Sequence, residues 1–436
     1  MSTSTPLLQR PLTPEEALVF GGKDRLASAT AFSLPQLDRP INILVVGTKV
    51  LTTDLDRPPP PNQKYQALVN SFDGLADTLM LLRFNPIDHR MAVLSIPRDT
   101  QVVIDGRGEA KINEANALGG PALSAKTVSE LLGGVPIDRY VRVNVQGIEK
   151  LVNALGGVTV YVPKDMKYQD DSQHLYINLK AGRQHLNGNQ ALQFLRFRYD
   201  ELGDIGRVQR QQALLRSLVE QSFKPGTLRR LPQVIEVIKA HIDTNLSVDE
   251  LMGLCGFLSQ IKRSQVQMLM LPGYFNGDGK DAPSYWLPNR DRVQALMSQY
   301  FNQTQPALLG TDPTGLAPNQ IRVAIQDSTN RPDVVKDLTT ALLHSGYREI
   351  ELYDPWSEPL QVTRIIAQQG DVSQAEAIRQ KLGFGEVRID STGVLNSDVT
   401  VQIGSDSFKL LQSLDKINLN PASSSPTQSA PSTSLQ

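Results

Sequence analysis

Two β-rich runs set a few residues apart, DTLMLLRFNP (Asp77 to Pro86) and MAVLSIPRDT (Met91 to Thr100), constrain this fold more than any other feature. Both are apolar over most of their length, and only a short polar turn, Ile87 to Arg90, separates them, which predicts adjacent buried strands of one sheet. INILVVG, Ile41 to Gly47, is a third strand of the same character. Downstream, LSAKTVSELLGGV (Leu123 to Val135) and QGIEKLVNALGGV (Gln146 to Val158) carry apolar residues at helical spacing and end in Gly-Gly, where a left-handed C-terminal residue belongs. A β-like run follows each helix, YVRVN (Tyr140 to Asn144) and VTVYVP (Val158 to Pro163). This alternation predicts an α/β fold in which a central mixed sheet is flanked by helices.

At 436 residues the chain has room for two or three domains of about 150 residues each. Residues 1–39 read as an extended lead-in, 40–305 as the main domain and 306–319, rich in Pro, Gly and Thr, as a linker. Within the main domain RPPPPNQ (Arg57 to Gln63) is a stiff surface loop. Helical patterns cover Asn187 to Phe223, with a break near Asp200 to Gly206, then Leu231 to Ala240 and Val248 to Ile261. Residues 320–405 read as a small α+β domain in β-α-β-β-α-β order, and 406–436, ending in PASSSPTQSAPSTSLQ, as a disordered tail.

Forty-four basic against 45 acidic side chains give a net charge of −1, so any anion site is local and direct nucleic-acid binding is not expected. A single cysteine, Cys255, excludes an intramolecular disulfide and a cysteine metal cluster, and its apolar setting LMGLCGFL predicts an inert thiol. The five histidines lack ligand spacing. No apolar run approaches 18 residues, and no signal-peptide pattern opens the chain. Neither a P-loop, a G-x-S-x-G elbow nor a G-x-G-x-x-G turn is present, which removes nucleotide hydrolysis and covalent acyl chemistry.

Charged residues at strand ends are the leading candidates for chemistry. Asp99 follows Arg98 at the end of one buried strand and Asp77 opens its neighbour. Two carboxylates so placed suit Mg²⁺, which takes oxygen ligands and keeps phosphate oxygens in its shell; they equally suit turn caps. FLRFRYDELGDIGRVQRQQ (Phe194 to Gln212) packs four arginines, Arg196, Arg198, Arg207 and Arg210, into fifteen residues. Arg196 and Arg198 share a face if that stretch is extended, while Arg207 and Gln211 share a face of a helix starting after Gly206. Guanidinium forks there form a pyrophosphate clamp, or else a solvated face neutralised by Asp200, Glu201 and Asp204. Lys111, in KINEANALGG, adds a point charge or sits in an ordinary loop.

Taken together, NILVVGTK, DTLMLLRFNP, SIPRDT, KINEANALGG, NVQGIEKLVNALGGVTVYVP, LKAGRQHLNGNQALQFLRFR and GDIGRVQRQQ resemble, in order and spacing, the LytR-CpsA-Psr family of bacterial cell-envelope phosphotransferases. The resemblance spans Ile41 to about Phe223 and, more weakly, to about Phe301; residues 321–404 resemble the C-terminal module of LytR-type proteins. It implies transfer of a glycopolymer from a polyprenyl-pyrophosphate carrier to a peptidoglycan hydroxyl. It implies Asp77 and Asp99 as ligands of Mg²⁺, or of Mn²⁺ in its place. Arg98, Lys111, Arg196, Arg198, Arg207 and Gln211 are implied as pyrophosphate ligands, with Asp99, Arg98 and Arg198 closest to catalysis. The same site with water as acceptor would be a polyprenyl-pyrophosphate phosphatase, and without turnover a lipid-pyrophosphate-binding regulator.

Two departures stand out. Leu75 occupies the position, two before Asp77, where the family carries Arg, and KINEANALGG replaces the family's KINHAYAYGG, placing Glu114, Asn116 and Leu118 where His and aromatics are usual. The resemblance also implies the extracytoplasmic face of the plasma membrane and an N-terminal membrane helix, expected upstream of the lead-in. For the C-terminal domain, which has no clustered catalytic residue types, an accessory role is expected.

Overall fold

The computed structural model describes residues 11–20, 26–28, 35–48, 72–170, 175–197, 204–222, 225–262, 265–277, 284–301, 317–368, 372–389, 393–394 and 397–408. The Pro-rich loop at 57–63, nearly all of the linker and most of the tail lie outside these residues.

The main domain is built on six strands, β1 (Ile41–Thr48), β2 (Ala76–Asn85), β3 (Arg90–Ile96), β4 (Arg139–Val143), β5 (Ile242–Thr244) and β6 (Val266–Met270). Across the sheet they run β5-β4-β1-β2-β3-β6, with β4 parallel to β1, β6 parallel to β3 and the other pairs antiparallel. Alternate residues feed two cores. Leu44, Val46, Leu79, Leu81 and Leu94 pack under helices α1 (Glu114–Leu131) and α4 (Arg290–Phe301). Ile41, Ile43, Met80, Leu82 and Val93 pack under α2 (Asp204–Ser222) and α3 (Val248–Gln260). Each such side chain contributes roughly 1.5–3 kcal/mol on burial, which is why these runs carry almost no polar residue on either face.

A sheet apolar on both faces lacks the usual penalty against slipping by one residue. Buried polar partners supply it here. Asn42 lies opposite Arg83 and accepts from its guanidinium at 3.1 Å, and Arg142 lies opposite Asp243, which is fully buried, at 2.6–2.7 Å. A slipped register would leave these charges unpaired in the core.

Several expected boundaries move. The lead-in is not extended throughout: Pro14–Val19 is helical, because Thr13 and Glu16 form a capping box ahead of Pro14 at the first position, and Phe20 then enters the main core. KINEANALGG is mostly helix, since α1 starts at Glu114 and continues through a kink at Gly119 and Gly120 (φ 63°) into the pattern read from Leu123. The next helix ends as expected, with Gly156 left-handed (φ 86°) after Leu155.

The C-terminal domain has β7 (Arg322–Asp327), β8 (Glu349–Leu352), β9 (Arg364–Ala367), β10 (Glu386–Ile389) and β11 (Val399–Ile403) in the order β8-β7-β11-β9-β10. Helices Pro332–His344 and Val372–Leu382 join β7 to β8 and β9 to β10. The run DVTVQIG, read from the sequence as part of the β-α-β-β-α-β order, forms β11 as a fifth strand and occupies the centre of the sheet. Its core, including Val323, Ile325, Leu338, Ile365, Ile378 and Val401, is its own.

Candidate active site

The site forms where β3 ends. The chain turns over Pro97, closed by the Thr100 amide and hydroxyl donating to the Pro97 carbonyl at 3.0 and 2.6 Å. A hairpin of Gln101–Ile104 and Gly108–Lys111 follows and returns the chain alongside the turn, where the amides of Ile112 and Asn113 donate to the carbonyls of Thr100 and Arg98. The Trp286 amide donates to the Asp99 carbonyl at 2.9 Å, and Ala76 at the start of β2 donates to the Asn113 carbonyl. Backbone on several sides therefore positions Arg98 and Asp99, as catalytic geometry requires.

Their side chains meet Asp77 and Lys111. Arg98 Nη1 lies 2.9 Å from Asp77 Oδ1, Arg98 Nε lies 3.5 Å from Asp99 Oδ2, and Lys111 Nζ lies 2.8 Å from Asp99 Oδ1. Lys111 also stands 5.5 Å from the centre of the Tyr285 ring. The carboxylates are 12 and 13% exposed and the cations 23 and 29%, so the cluster is largely shielded while its cations keep some access to solvent. Two negative and two positive side chains balance. A cation entering with an anionic phosphate would leave that balance close to neutral.

Helix α2 closes the cluster from the opposite face of the sheet end. Gln211 Nε2 donates to the Asp77 carbonyl at 3.3 Å and Gln212 Nε2 to Ser95 Oγ at 2.9 Å, while buried Arg210 donates to the Phe197 carbonyl. Sequence reasoning singled out Gln211 but missed Gln212, whose role appears only once β3 is beside it.

The arginine-rich stretch divides. Arg196 is the last residue of the helix Gly188–Arg196, whose start is capped by Asn187 and Gln190 and whose Ala191 and Phe194 are buried. Arg196 itself is therefore helical rather than extended, and the chain turns to extended backbone at Phe197. Arg207 lies in the first turn of α2, which starts at Asp204 rather than after Gly206. Arg198 and the side chain of Arg207 lie outside the described residues.

Two residues missed by sequence reasoning as site residues brace the segment before Asp77. Buried Asn116 donates to the carbonyls of Phe72 and Gly74 at 2.8 and 2.7 Å, and Arg142 reaches the Phe72 carbonyl at 3.4 Å. The departure at Asn116 and a charge inside YVRVN were the available signals. Leu75, half-buried between this segment and β2, brings no charge. Cys255 is remote in α3, and burial pushes its thiol pKa up, consistent with an inert role.

Among the described residues no three His, Cys, Asp or Glu side chains converge as a metal cage. Asp77 and Asp99 are nevertheless hard oxygen donors of the number that Mg²⁺ takes when substrate phosphates and waters complete its shell. The donor set fits.

Residues 20–302 match the LytR_cpsA_psr family. The chain belongs to the LytR-CpsA-Psr family. Residues 320–406 match a second family, described as LytR cell envelope-related transcriptional attenuator. Among LytR-CpsA-Psr relatives, the polyisoprenyl-teichoic acid–peptidoglycan teichoic acid transferase TagV of Bacillus subtilis (strain 168) is 30% identical over 248 residues, 55% of this chain and 63% of that protein. The polyisoprenyl-teichoic acid–peptidoglycan teichoic acid transferase TagU of Bacillus cereus is 37% identical over 180 residues, 41% and 57% of the two chains. The chain thus spans 57–63% of the length of these relatives. The crystal structure of B. subtilis TagV superposes with a TM-score of 0.51 at 27% identity, over 61% of this chain and 99% of that one.

Proposed function

We propose that this chain transfers a glycopolymer from a polyprenyl-pyrophosphate carrier to a peptidoglycan hydroxyl at the extracytoplasmic face of the plasma membrane. The observation that carries this reading is the Asp77–Arg98–Asp99–Lys111 cluster at the end of a rigid sheet, in a family whose relatives are named as transferases of polyisoprenyl-linked teichoic acid.

In the transfer, the acceptor hydroxyl oxygen bonds to the glycan-side phosphorus as the bridging P–O bond breaks, and polyprenyl phosphate leaves. Charge builds on the phosphoryl oxygens and on the leaving phosphate, and positioned cations stabilise it without a covalent intermediate. Arg98 and Lys111 supply that charge, and Asp99, between them, orients the hydroxyl and takes its proton. Asp77 holds the Arg98 guanidinium in place. Mg²⁺, held by Asp77 and Asp99, would neutralise phosphate charge. Arg198 and Arg207 belong to the same reading as further phosphate ligands. No helix of the described residues is long and apolar enough to cross a membrane.

Release of polyprenyl monophosphate from a polyprenyl pyrophosphate, with Mg²⁺ or EDTA and with or without peptidoglycan, tests this. Metal-dependent release that peptidoglycan accelerates, lost in folded Asp99→Ala and Arg98→Ala, is the expected result. Release indifferent to peptidoglycan would make the protein a phosphatase, and tight binding without release would make it a lipid-pyrophosphate sensor.

A further inference from the structure

The C-terminal domain is seated against the main domain, and one of its contacts falls on the helix that closes the candidate site. Gln209 Nε2 on α2 donates to the Gly393 carbonyl at 2.9 Å. Arg292 on α4 pairs at 2.7 Å with Asp398, which is 5% exposed and also receives hydrogen bonds from Arg322 of its own domain. The Tyr161 hydroxyl donates to the Ser357 carbonyl, Ile389 packs onto the main core, and β10 lies beside β6, the edge strand of the main sheet.

Four consecutive side chains of α2 therefore bind four different places. Gln209 holds Gly393, Arg210 holds Phe197, Gln211 holds Asp77 and Gln212 holds Ser95. The first and third are two residues apart on one rigid helix, so a displacement at Gly393 is transmitted to the backbone beside Asp77. We infer that the C-terminal domain is a positioning element of the pyrophosphate site, holding α2 against Asp77 through Gln209 while Arg292 on α4 seats the domain. The inference rests on the site reading above. Apart from Ile389, these contacts are hydrogen bonds and an ion pair, so the docked surface is mostly polar, as in interfaces that adjust rather than cores that lock.

The test uses the full chain carrying Gln209→Met or Arg292→Gln. Arg292 is changed rather than Asp398 because Asp398 keeps its Arg322 hydrogen bonds when Arg292 is lost, so the domain itself stays folded. Farnesyl pyrophosphate with Mg²⁺ is titrated calorimetrically, monophosphate release is followed at saturation, and amide hydrogen exchange is read along α2. The expected result is about fivefold weaker binding, the scale of one lost hydrogen bond, with faster exchange in α2 and an unchanged saturating rate. Unchanged exchange in both variants overturns the inference, as does faster exchange with unaltered binding, or a lost saturating rate with unaltered binding. If wild type binds no pyrophosphate, the proposed function fails instead, and exchange in α2 alone decides whether the domain holds the helix.

Discussion

Arg98 is the residue on which the site geometry turns, because one planar group reaches two carboxylates, Asp77 through Nη1 and Asp99 through Nε. A lysine ammonium is a point charge and cannot span them. Arg98→Lys should therefore lower kcat/KM for monophosphate release by about 10²–10³-fold, the scale of losing one oriented stabilising donor. Thermal stability should barely change, since partly exposed ion pairs contribute at most about 1 kcal/mol. Wild-type turnover in Arg98→Lys, measured with Mg²⁺ present, would refute the assigned role. Asp77, Arg98 and Asp99 were readable beforehand because charges at the ends of otherwise apolar strands are anomalous. Asn116 was not, since its meaning depends on Phe72, 44 residues earlier in the chain, and neither was the tie from Gln209 to Gly393, 184 residues later.

Single elements are joined to the sheet by buried charge as well as by apolar packing. Glu250 caps α3 by accepting from the Ser247 amide at 2.9 Å and pairs with Arg139 on β4 at 2.8 Å, both partners being 8% exposed. Arg139→Met leaves that carboxylate buried without its guanidinium and should destabilise the protein by about 3–5 kcal/mol in urea unfolding. Adding Glu250→Gln should restore part of the loss, because the amide still caps the helix and carries no charge. An Arg139→Met midpoint equal to wild type would show that this pair does not secure α3. The helix itself was evident from its spacing, and so were the Gly-Gly stops. What spacing could not supply was which helix starts early: α1 takes in Glu114 to Gly120 of KINEANALGG because Gly119 and Gly120 form a kink rather than a stop, and Pro121 is tolerated in the resumed first turn.

At the scale of the molecule, an expected linker suggested two independent units, and what joins them is a set of contacts between residues whose types predict nothing alone. Asp398 is the one whose titration can be followed. Burial works to raise its pKa, but hydrogen bonds from Arg322 and Arg292 outweigh it and hold the carboxyl below its ordinary value. A pKa lower in the folded state than in the unfolded one gives stability that is complete above the unfolded value, about 4, and lost as pH falls through the folded value. The stability difference between wild type and Asp398→Asn should hence be constant from about pH 7 to pH 5 and shrink below about pH 4. Other acids of the same domain, Asp333 and Glu376, are also held low by Arg331 and Arg379, but they titrate alike in both proteins and cancel in the difference. Thermal midpoints of the two proteins across that range provide the measurement. A difference that stays constant down to pH 3 would mean that the Asp398 carboxylate is not what the two arginines hold.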